Sequence, residues 1–156
     1  MRFRPSFVLL PVDHIAQHET GECLAACAAM LLNYIGVSLD YKRLVRLLRI
    51  RESAGTPFFN IRELTKQSIS VTYKQGTIEE LYDHLVSGRP CIASVQTREL
   101  PYWNDISSHH AVVVVGMDQE SIYLNDPELT FAPVKVSLGD FDLAWLEQDE
   151  FYAVLS

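Results

Sequence analysis

The stretch Gln17–Gly36, QHETGECLAACAAMLLNYIG, opens on polar residues, reaches a cysteine at position 23, and then runs almost wholly apolar to a glycine. Thr20 is expected to cap a helix here, its hydroxyl accepting a first-turn N–H. Gly36 is expected to end it, since glycine enters the left-handed conformation without steric cost. Leu24 through Leu32 is apolar on every side, which predicts a buried helix, and one too short to span a bilayer. Cys23 then falls in the first turn, where free N–H groups and the positive end of the helix dipole favour an anion. Position alone also fits a small buried residue, so the rest of the chain must supply a base.

Outward from that helix, the chain reads as one domain over residues 1–156, long enough to bury about two-thirds of its unfolded surface. The net charge of −7 argues against a nucleic-acid or anionic-membrane surface, which needs a basic patch. Three cysteines, Cys23, Cys27 and Cys91, make no disulfide framework. The apolar run Phe7–Leu10 is too brief for a signal segment. The expected location is therefore the cytoplasm.

Phe7–Val12 reads as a strand and Thr20–Tyr34 as the buried helix. Ser38 is expected to cap an amphipathic helix, SLDYKRLVRLLRI, and a loop from Ser53 to Pro57 leads to a third helix at Asn60–Gln67, with Ile61 and Leu64 inward. Val71–Lys74 is a short strand. Thr77 and Glu80 form a capping box for a helix that Gly88 ends. After Pro90 the pattern turns to strands: Cys91–Val95, His110–Met117, Ser121–Asn125, Val134–Val136 and Glu150–Leu155, with a helix at Leu138–Leu146. Helices first and an antiparallel sheet second is an α+β arrangement, the central helix packed on the sheet. The run from His110 to Gly116 lacks polar alternation, so that strand is expected to be central.

A thiolate nucleophile needs a base, and the base needs an orienting group. His84 reads as surface, and His14 and His18 belong to the polar approach to the helix. His110 begins the central strand after a polar loop, which suits a base; a hydrogen-bonded strand-end histidine is the competing reading. His109 would point to the opposite face. Asp118 lies roughly 26 Å along the strand from His110 at about 3.3 Å per residue. Asp126 returns to the His110 end through the hairpin and is the plausible orienting carboxylate; Asn125-Asp126-Pro127 is also turn chemistry. Gln17 could supply an oxyanion donor beside the Cys23 N–H. The spacings His14-x3-His18 and Cys23-x3-Cys27 permit zinc, but the pairs leave little chain to fold around an ion, so no metal is expected.

QHETGECLAAC, GRPCIASV, HHAVVVVGMD, IYLNDP and the closing FDLAWLEQDEFYAVL occur in this order, and together they resemble the bacteriocin-processing peptidases, cysteine peptidase family thirty-nine. The resemblance implies a papain-like fold and a cysteine endopeptidase needing no cofactor. In it Cys23 is the nucleophile, His110 the general base, Asp126 its orienting group and Gln17 the oxyanion donor. It implies a peptide or precursor-protein substrate, cut after two glycines, with a separate peptide exporter as partner. Leu24 stands where family members commonly carry glycine, and is expected to reshape the cleft. Tyr102 and Trp103, in the loop before His110, are expected to form a lid or substrate wall. The chain carries no long apolar span and no GxxxxGK[ST] loop, so a free-standing domain is expected. A non-catalytic leader-binding module and a papain-like transpeptidase are the rival readings.

Overall fold

Residues 3–51 and 55–156 are described by a computed structural model. The elements run in the order β1 (Val8–Leu9), α1 (Cys23–Tyr34), α2 (Tyr41–Leu47), a 3₁₀ segment (Phe58–Gln67), β2 (Val71–Gln75), α3 (Ile78–Val86) and β3 (Cys91–Gln96). Two 3₁₀ turns (Thr97–Glu99, Pro101–Trp103) follow, then β4 (His109–Met117), β5 (Ser121–Asn125), β6 (Val134–Ser137), α4 (Leu138–Leu146) and β7 (Phe151–Leu155).

The sheet is antiparallel throughout, ordered β2-β7-β3-β4-β5-β6, with β1 pairing to the far end of β4. Every residue of β4 after His109 is buried, as its unbroken apolar run requires. Alternation divides its side chains between two cores. Ala111, Val113 and Val115 join α1, α2 and the 3₁₀ segment, while Val112, Val114 and Met117 join α3 and α4. This is the α+β, papain-like arrangement, with a buried central helix against an antiparallel sheet.

Three local expectations are corrected. Thr20 does not cap α1: Gly21 adopts φ 91°, which turns the chain so that the helix starts at Cys23, after Glu22. Glu22 makes no side-chain cap either; its carboxylate accepts from the Glu19 N–H (3.1 Å) and the Tyr41 hydroxyl (3.0 Å). Ser38 yields the second cap to Asp40, whose carboxylate takes the Arg43 N–H, and the helix stops at Leu47 rather than running to Ile50. The third helix is 3₁₀ instead of α. Its inward positions Phe58, Ile61 and Leu64 recur every three residues, the period of that tighter coil. The expected loop Ser53–Pro57 lies partly outside the described residues. At the end of α1, Gly36 (φ 80°) does close the helix: its N–H meets the Asn33 carbonyl and the Val37 N–H meets that of Leu32.

Candidate active site

With no side chain capping α1, its first N–H groups stay available, and the Cys23 sulfur takes one from Leu24. A second comes across from the Ala111 backbone on β4. The His110 imidazole shares the cleft wall with this sulfur and is coupled to it, so the start of the helix and the start of the strand meet there. His110 Nε2 lies 2.7 Å from Asp126 Oδ1, which leaves Nδ1 to face the sulfur. Asp126 is fully buried yet well satisfied. Its Oδ1 also accepts the Glu128 N–H (2.9 Å), and its Oδ2 accepts from the Tyr102 hydroxyl (2.6 Å) and Trp103 Nε1 (2.9 Å).

These contacts set the charges. Burial alone would raise the Cys23 thiol, but His110 and the two backbone donors outweigh it and bring it below its ordinary value. Burial would likewise lower His110, and Asp126 and Cys23 reverse that, so the imidazole holds its proton well above its ordinary range. Asp126 is held below the usual carboxylate range despite burial, chiefly by His110. The favoured state is a thiolate beside an imidazolium that rests on a carboxylate. Cys27 and Cys91, fully buried with no such partners, are raised.

The sulfur opens on a cleft of about 650 Å³. Cys23, Leu24, Gln17, Trp103, Ser94, Ile106 and Glu128 line it, with Gly55–Phe58 among its other walls. Gln17 hangs over it with its backbone N–H on the Pro127 carbonyl and its Nε2 donating to Glu128 Oε2 at 2.8 Å. One amide hydrogen of Gln17 is thus engaged and the other is free. Trp103 meets the His110 ring edge-on at 4.9 Å. Tyr102, read from sequence as a substrate wall, is not among the lining residues; its hydroxyl is turned inward onto Asp126.

The profile of the Peptidase_C39 like family matches residues 9–150. The chain belongs to this family. Among solved structures, this C39-like chain is similar to a putative C39-like peptidase from Bacillus anthracis, at 21% identity and TM-score 0.81, over 97% of this chain and 98% of that one. It is similar to the peptidase domain of Streptococcus ComA, a bifunctional ABC transporter of a quorum-sensing pathway (18%, TM-score 0.74, 93% and 98% covered). It also resembles a double glycine motif protease from an AMS/PCAT transporter in complex with its leader peptide (20%, TM-score 0.72, 99% and 98% covered). Among curated proteins none matches this chain. No helix among the described residues is long and apolar enough to cross a membrane.

The remaining sequence candidates fall elsewhere. His14 Nε2 binds the Leu129 carbonyl (2.7 Å), His18 stacks on Tyr41 at 4.0 Å, and Cys27 is buried in the core. Among the described residues no three His, Cys, Asp or Glu side chains cluster to hold a metal. His84 is not a free surface residue: Tyr152 and Arg89 bond both its ring nitrogens. Asp118 closes the β4–β5 hairpin, accepting from the Glu120 and Ser121 N–H groups. Sequence reasoning missed Glu128 and the buried Gln96, whose Oε1 gathers Arg98, Ser107 and Ser108 to shape the loop before His110. The one available signal for Glu128 was its place two residues after Asp126.

Proposed function

We propose that this chain is a cysteine endopeptidase, in which Cys23 attacks a peptide carbonyl, His110 handles the protons and Asp126 orients His110. The observation that carries the reading is the His110 imidazole, which lies 2.7 Å from Asp126 Oδ1 and lines the same cleft as the Cys23 sulfur, to which its charge is coupled. The thiolate adds to the carbonyl carbon. The oxygen gathers negative charge toward the Cys23 backbone N–H and the free hydrogen of Gln17 Nε2. The C–N bond breaks as the imidazolium gives its proton to the leaving amine, leaving a thioester. Neutral His110 then takes a proton from water, whose oxygen attacks the thioester and releases the acid and the thiolate.

The substrate class is a leader-bearing precursor peptide cut after a pair of small residues. Family membership supports this, as does the cleft: Trp103, edge-on to the His110 ring, walls it, which favours residues lacking side chains. Residues 1–156 act as one peptidase domain in the cytoplasm, and the partner is a peptide exporter. A peptide-library digest read by mass spectrometry, with wild-type and Cys23→Ala protein, tests the reading. The wild type should cut at small-residue sites and the variant should lose activity by several orders of magnitude. Equal cutting by both, or none by either, overturns it.

A further inference from the structure

Glu128 is the one carboxylate among the described residues lining the cleft, and no lysine or arginine is among them. None of the ion pairs among the described residues involves it. Its side chain is exposed, and its position is fixed from two directions: its N–H on Asp126 Oδ1 (2.9 Å) and its Oε2 under Gln17 Nε2 (2.8 Å). Among the described lining residues outside the Cys23–His110 pair, Glu128 therefore presents the one negative charge without an ion-pair partner, tied to the amide that would receive a developing oxyanion. Two like charges that close oppose each other. An unneutralised Glu128 works against the transition state, and a cation supplied by the substrate removes that opposition while gaining an ion pair.

The location of the charge indicates which half of the peptide carries the cation. Glu128 follows Asp126 by two residues and is bonded to it, and Asp126 in turn holds the imidazole that protonates the leaving amine; this attachment argues for the leaving-group half. Resting on the peptidase reading above, we infer that Glu128 is a specificity-determining residue selecting peptides with Lys or Arg within the first two residues after the scissile bond.

The test takes the site found by the library digest and varies those two positions among Lys, norleucine and Glu. The specificity constants are measured for wild type, Glu128→Gln and Glu128→Lys. Wild type should prefer Lys to norleucine by about tenfold or more, the scale of a close charge pair, and less so in high salt. Glu128→Gln keeps an oxygen for Gln17 and should bring the ratio near one. Glu128→Lys should favour the Glu peptide. Each preference is a ratio within one protein, so any loss of folded fraction cancels. Cutting without a Lys preference, or a preference that survives Glu128→Gln, overturns the inference and leaves the peptidase reading standing. Failure of wild type to cut any peptide overturns both.

Discussion

A thiol enclosed by apolar side chains keeps its proton, and Cys27 and Cys91 do so. Cys23 differs because it is half-buried at a helix start and meets an imidazole with two N–H donors. Iodoacetamide near pH 6 should therefore alkylate Cys23 in the folded protein well before the other two, as read by intact mass and peptide mapping. Slow and equal labelling of all three would remove the thiolate from the site. The same logic applies to Asp126, a carboxylate with no exposure that stays ionised because four donors surround its two oxygens: an imidazole, a hydroxyl, an indole and a backbone N–H. Tyr102→Phe removes one donor from a charged acceptor, a loss of about 2 kcal/mol. The expected result is a drop in kcat of tenfold or more with KM little changed, because Tyr102 touches Asp126 and not the cleft. A change confined to KM would make it a substrate wall after all.

At the scale of elements, the segment before α1 is strapped to the turn after β5. Asn125 Nδ2 donates to the Val12 carbonyl, His14 Nε2 to the Leu129 carbonyl, and the Gln17 N–H to the Pro127 carbonyl. These bonds set Gln17 in register with Asp126, although the two lie on different segments. His14→Leu should loosen that register and lower kcat by about tenfold, whereas His14→Gln, which retains an N–H donor, should recover most of it. Equal loss in both variants, measured by steady-state kinetics beside thermal melting, would reduce His14 to packing. A second strap is the close approach of β1 to β4, where a Cβ on Gly116 would lie 2.6 Å from the Val8 carbonyl oxygen. Gly116→Ala should accordingly lower the melting temperature by several degrees, as about 1–3 kcal/mol of overpacking would; an unchanged melt would show that β1 can move aside freely. Periodicity made α1, α3, α4 and the β4–β5 hairpin legible from sequence, and with them the meeting of Cys23, His110 and Asp126 at element ends. The expected caps at Thr20 and Ser38 fail because cap chemistry depends on the path of the chain, which Gly21 diverts after Thr20 and which brings Asp40 instead of Ser38 to the start of α2. The donors from Tyr102, Trp103 and His14 were invisible for another reason: each joins residues far apart in sequence and follows no period.

Over the whole molecule, the two cores on either side of β4 hold the helix start and the strand start face to face, so the charges of Cys23, His110 and Asp126 titrate as one unit. Cys23 is lowered from 9.0 and His110 raised from 6.5, so the thiolate–imidazolium state spans the interval between their shifted values. The kcat/KM profile should rise as Cys23 loses its proton and fall as His110 loses its own, with the falling limb well above 6.5. The stability signs differ between the partners. His110, raised on folding, contributes stability that is complete below its unfolded value and fades as pH climbs through its folded value. Asp126, lowered on folding, contributes above 3.8 and loses that contribution as acid forces a proton onto it. Asp126→Asn removes the anion behind the imidazole. His110 should then deprotonate at lower pH, and Cys23, facing a weaker cation, should hold its proton to higher pH. The bell is expected to narrow from both sides and its height to fall by orders of magnitude, as for other orienting carboxylates. An alkaline limb that stayed in place in Asp126→Asn would show that Asp126 does not set the charge of His110.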